Sequence, residues 1–116
     1  MGGKSSKAEK YFLIMGDKVF HHNATLTGAF VSGVKYYNNK NIYVGRFDEE
    51  GKFYNANDSY VGKIDANGSV FDQNDSYLGK IESDRSKRNV YDSKGVLIGK
   101  LPGAKVEQVA LLYFFA

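Results

Sequence analysis

Cysteine and tryptophan are both absent from this chain, and proline occurs once. Without cysteine there is no disulfide staple and no thiolate metal site, and redox logic gives no compartment. No span approaches the roughly 20 apolar residues a membrane helix needs. Val109 to Ala116 is apolar but short, and reads as a buried strand. The run Tyr11-Phe12-Leu13-Ile14-Met15 is too short for the apolar region of a secretory signal. On these absences a cytoplasmic location is expected. Charge of one sign is not concentrated either. Sixteen basic against thirteen acidic side chains leave +3. The densest basic stretch, Asp84-Arg85-Ser86-Lys87-Arg88-Asn89, carries its own acid, so nucleic-acid binding is not expected.

What the chain does have is glycine and aromatic residues: thirteen Gly, nine Tyr and eight Phe in 116 residues. Helices tolerate that much glycine poorly, whereas turns between strands use it. An apolar fraction of 42% is enough for one core. Self-similarity is the main signal. Tyr43-Val44-Gly45-Arg46-Phe47, Tyr60-Val61-Gly62-Lys63-Ile64 and Tyr77-Leu78-Gly79-Lys80-Ile81 recur at intervals of 17 residues. Leu97-Ile98-Gly99-Lys100-Leu101 follows after 20, and Leu26-Thr27-Gly28-Ala29-Phe30 precedes by 17. A second half-unit repeats beside each: Lys18-Val19-Phe20, Lys35-Tyr36-Tyr37, Lys52-Phe53-Tyr54, Ser69-Val70-Phe71 and Asn89-Val90-Tyr91. The half-units are short, β-branched and aromatic, and are bounded by Gly, Asn, Asp and Ser. Links this short cannot make parallel crossovers, so the chain reads as an all-β antiparallel meander of repeated hairpins. Residues 1–9 are expected to form a flexible start, and residues 10–116 a single domain.

Strict alternation puts Tyr60, Gly62 and Ile64 on one face, with Val61 and Lys63 on the other. The mid-strand glycine either lets another group approach closely or marks a bulge; close approach is the preferred reading, because all five copies keep it. The two most apolar ends, Tyr11 to Met15 and Leu111 to Phe115, are expected to meet and close the structure.

The repeated Tyr-Val/Leu-Gly-Lys-Ile with its following acid, the stretch Tyr91 to Lys100 and the apolar C-terminus together resemble the four-fold β-flower proteins, a small bacterial family. The resemblance covers Tyr11 to Ala116. It implies hairpins set about a pseudo-four-fold axis, and it brings no established activity, cofactor or site.

The candidate chemistry is sparse. His21 and His22 are adjacent, so on a strand they point to opposite faces and hardly share one metal. The Asp65-Ala66-Asn67-Gly68 type of turn lacks the Gly and Glu spacing of a calcium loop, and Asx-turn chemistry accounts for it. Met1 to Ser6 matches an N-acylation pattern and contains a Gly-Lys-Ser fragment without the rest of a phosphate loop. No metal or cofactor is expected. Symmetry gives the best candidates: Arg46, Lys63, Lys80 and Lys100 share one repeat position and could ring an axis, holding a small anionic ligand or an acidic protein. Asp48, Asp65 and Glu82, two residues on, could instead neutralise them. Tyr43, Tyr60 and Tyr77 could form a stacking platform for sugars or bases. The expected function is therefore a non-catalytic binding or interaction module. The alternatives are a small carbohydrate-binding or hydrolytic domain with a Tyr/Asp/Asn cleft, and a structural subunit of a homo-oligomer.

Overall fold

The computed structural model describes residues 12–21 and 25–116. The expectations for residues 1–9, the Met1–Ser6 pattern, Tyr11 and His22 fall outside these. Eleven strands follow one another among the described residues. They are β1 (Phe12–Met15), β2 (Lys18–His21), β3 (Leu26–Val31), β4 (Lys35–Asn38), β5 (Tyr43–Phe47), β6 (Lys52–Asn55), β7 (Tyr60–Ile64), β8 (Ser69–Asp72), β9 (Tyr77–Asp84), β10 (Lys87–Asp92) and β11 (Leu97–Pro102). Each strand is hydrogen-bonded antiparallel to the next, in sequence order across one sheet. The sheet curls into a nearly closed barrel in which β1 comes to lie beside β11. The expected all-β hairpin meander is thus the observed architecture.

Two kinds of corner connect the strands, and short-range polar chemistry specifies both. At one end, which we call the loop end, Asn38, Asn55, Asp72 and Asp92 each accept two backbone N–H bonds at 2.8–3.0 Å on one side-chain oxygen. The donors lie two and four residues on, which is Asx-turn geometry. At the other end, the turn end, Asp48 and Asp65 do the same at 2.9–3.0 Å. The turn-forming aspartates are therefore engaged with backbone. Left-handed residues complete the corners: Asn41, Asp58, Asp75 and Gly95 at the loop end, and Gly33, Gly51 and Gly68 at the turn end. Asn and Asp tolerate that conformation better than other side-chain-bearing residues.

The repeat has five members, not four. Val19, Tyr36, Phe53, Val70 and Val90 are equivalent inward positions, and none is more than 3% exposed. Just after each of them the register with the following strand shifts by one residue. The extra residue on that strand is Thr27, Val44, Val61, Leu78 or Ile98, immediately before a repeated glycine. This is a β-bulge at one fixed place in every unit. It corrects the alternation argument. Gly62 and Ile64 are buried, but Tyr60 is 37% exposed and pairs with the outward Tyr54. One inserted residue turns every side chain before it to the opposite face.

The C-terminal segment corrects a second expectation. It is not a closing strand. Val106–Ala110 forms a short α-helix, α1, which widens into a π-helical turn over Leu111–Phe115. Val109, Ala110, Leu111 and Leu112 are at most 3% exposed. The segment meets the sheet on many sides. Gln108 donates to the Gly33 carbonyl at 3.0 Å, Tyr113 meets Phe12 edge-on at 5.1 Å, and Phe115 stacks on Phe53 at 4.6 Å. It therefore runs along the barrel axis from turn end to loop end. The reason is backbone satisfaction: on the axis no neighbouring strand supplies ladder partners, and a helix satisfies its own N–H and C=O groups. A segment apolar all round is what such a plug requires.

The plug also explains the repeated glycine. A Cβ on Gly62 would lie 2.6 Å from the Phe115 ring, and one on Gly79 2.8 Å from the Phe114 ring. On Gly28, Gly45, Gly62 and Gly79 it would also collide with the carbonyl oxygens of Tyr37, Tyr54, Phe71 and Tyr91 respectively. Close approach and bulge, read as competitors in the sequence, are parts of one device.

Candidate functional site

Because bulges and axis packing decide the faces, the candidate cations do not line the axis. Phe47, Ile64, Ile81 and Leu101 point inward, and the residues before them, Arg46, Lys63, Lys80 and Lys100, point outward. Each of the first three cations stands opposite an aromatic residue on the next strand: Arg46 opposite Tyr54, Lys63 opposite Phe71, Lys80 opposite Tyr91. Lys100 stands opposite Asn89 and is exposed. The four cations are spread around the outside of the barrel and do not converge on one point.

Two of these pairs form complete rows. In the first, the Arg46 guanidinium carbon sits 4.2 Å from the centre of the Tyr54 ring. Nε and one terminal nitrogen of Arg46 donate to the same Asp58 oxygen, at 3.0 and 2.9 Å. The bond to Asp58 raises the guanidinium pKa further. Tyr54 donates its hydroxyl to Asp48 at 3.2 Å and meets Tyr60 edge-on at 6.2 Å. Desolvation, then the Asp48 bond, raises the Tyr54 phenol. Desolvation pushes the Asp48 carboxyl up, but the backbone N–H groups of Lys52 and Glu50 and the Tyr54 hydroxyl outweigh it and hold the group below its ordinary value.

The second row repeats the first one unit later. Lys63 lies 5.8 Å above the Phe71 ring and 3.6 Å from Asp75. Phe71 meets Tyr77 at 5.8 Å. A third row has lost its charges together: Tyr37 meets Tyr43 at 5.3 Å, with Ala29 in the cation position and Asn41 in the acid position. In the fourth, Gly95 replaces the acid, and Lys80 pairs with Glu82 at 3.3 Å. Of the neutralising acids expected from sequence, only Glu82 serves. Asp58 and Asp75 do the rest, because the loop end folds back over the preceding strand. All three candidate tyrosines stand on the outer face, and Tyr60 and Tyr77 are 37% and 43% exposed.

Three concavities lie at the two ends. At the turn end a cleft of about 750 Å³ is bordered by Glu50, Asp65, Lys80, Glu82 and Glu107, and an adjoining one of about 910 Å³ by Val34, Phe47, Asp48 and Lys105. At the loop end a smaller hollow of about 310 Å³ is lined by Phe12, Thr27, Tyr36, Asn38, Val44 and Leu112. The axis itself is filled by the plug. His21 lies on β2, with its ring edge-on to Phe12 at 5.9 Å. Among the described residues no group of three or more His, Asp or Glu side chains is placed to hold a metal ion. Nor is any helix among them long and apolar enough to cross a membrane.

Compared with known proteins, residues 4–116 match a family model described as a 5-fold beta-flower protein. The family differs in fold number from the four-fold resemblance, and the five equivalent inward positions agree with the match. No curated protein and no solved structure matches the chain.

Proposed function

The chain belongs to the 5-fold beta-flower family, and from that premise we propose that it is a non-catalytic binding module which engages its partner through the outer rows around Arg46, Lys63, Tyr43, Tyr60 and Tyr77. One observation carries this reading. In three of the five units the bulge turns a tyrosine out of the core (Tyr43, Tyr60 and Tyr77), and Tyr60 and Tyr77 each stand in a row with a cation–carboxylate pair, where a core-only role would have kept the ring inside. Rings half in water and half in contact offer apolar area at little entropic cost.

A ligand screen followed by heteronuclear NMR on the full chain tests it. Neutral oligosaccharides, acidic peptides and nucleotides are titrated in turn, and perturbed amides are expected on β5, β7 and β9 near the rows. The competing hydrolytic reading is favoured by the carboxylates lining the turn-end cleft. Turnover of any of these ligands, lost in Glu82→Gln and kept in Tyr60→Ala, would overturn the binding reading.

A further inference from the structure

Within the outer-face reading, and resting on it, the chemistry of the rows distinguishes one ligand class. We propose that the Arg46–Asp58–Tyr60 and Lys63–Asp75–Tyr77 rows are two equivalent subsites for a neutral carbohydrate. An anion would have to displace a carboxylate that each cation already holds, at 2.9 Å in the first row and 3.6 Å in the second. A sugar hydroxyl needs no such displacement, because it both donates and accepts. A cation–carboxylate pair offers a donor and an acceptor side by side. Both acids are accessible, with side chains 69% and 76% exposed. The arginine is also held in place, since Tyr54 lies under the guanidinium and Asp58 takes two of its bonds. Beside each pair stands a half-exposed tyrosine, whose ring is the surface on which the C–H face of a pyranose settles.

The Tyr37–Tyr43 row has Ala29 and Asn41 in its own cation and acid positions, yet Tyr43 stands on the strand of Arg46 and feels the charges of both Arg46 and Asp58, so the first ion pair borders the Tyr43 ring as well as Tyr60. Two subsites on one rigid sheet also favour a chain of sugars over a single ring, since the second contact becomes intramolecular.

The experiment titrates the full chain with maltohexaose, cellohexaose, xylohexaose and chitohexaose, and with an acidic hexapeptide of Asp and Glu. At least one neutral hexaose is expected to bind with a dissociation constant in roughly the millimolar range or below. The affinity should be nearly independent of salt between about 0.1 and 1 M, where an anion's would fall. Tyr60→Ala and Tyr77→Ala should each weaken it about tenfold. Arg46→Gln, whose outward position spares the core, should weaken it while circular dichroism stays unchanged. Binding of the acidic peptide alone at the rows, with salt sensitivity, overturns the carbohydrate assignment and leaves the outer-face reading standing. Perturbations confined to the turn-end cleft or the loop-end hollow overturn both. Unchanged affinity in Arg46→Gln overturns the part given to the ion pair, and no binding by any neutral hexaose overturns the proposal outright.

Discussion

Single side chains divide here into those that space forbids and those that solvent governs. Gly62 belongs to the first kind. Its backbone is not left-handed, so its glycine is required by contact with Phe71 and Phe115 rather than by conformation. Gly62→Ala should lower stability by about 1–3 kcal/mol in urea unfolding, the range for overfilling a packed core. Gly16 is the opposite case: its φ of 64° disfavours a side chain, but nothing lies within 4 Å. Gly16→Ala should therefore cost only the local strain of about 1–2 kcal/mol for the left-handed region. Tyr36 belongs to the second kind. Burial raises its phenol to about 12 from 10.0. A group whose folded pKa is raised stabilises fully below the unfolded value and loses that contribution as pH rises through the folded one. Stability should then hold up to pH 10 and decline between 10 and about 12 on this account. In ultraviolet titration of phenolate absorbance, Tyr36→Phe should remove a tyrosine that ionises near pH 12, well above the ordinary 10.0. The glycine repeat was visible in sequence, but the Phe115 and Phe114 rings that press on Gly62 and Gly79 lie about 50 and 35 residues further on, outside any local window.

Among elements, the axial plug decides whether the strands form one molecule. Short hairpins cannot bury an apolar face alone, and inward side chains from five of them leave an axis that Val109 to Tyr113 fills. Leu111 is 1% exposed at the centre of that contact. Leu111→Ala should cost about 2–5 kcal/mol, as other large-to-small core changes do, seen as a lower urea midpoint with an unchanged slope. Retention of wild-type stability would mean that the barrel stands without its plug. Turns and strands were legible because each is specified by neighbours in sequence: Asx side chains bond two and four residues ahead. The plug was not. A short apolar run reads equally as buried strand or buried helix, and only its surroundings choose.

For the whole molecule, an eleven-strand meander brings its two ends, β1 and β11, side by side with no hydrogen-bonded ladder between them among the described residues. The edges are short or blunted: β1 has four residues, while β11 carries Lys100 and Pro102. Charges and proline on an edge discourage further strand pairing. Amide hydrogen exchange should accordingly be fastest in β1 and slowest in β6 to β8, which have a strand on each side and the plug beneath. Comparable protection in β1 and β7 would mean that the seam is closed by strand pairing in solution. The sequence by itself determined the strands, the turns, the antiparallel order and the repeat, because each depends on residues within one or two hairpins of one another. Tertiary structure alone decided the helical state of residues 106–115 and the outward face of Tyr43, Tyr60 and Tyr77. These depend on closing the sheet around a filled axis, a condition set by all five units at once and written in no single one of them.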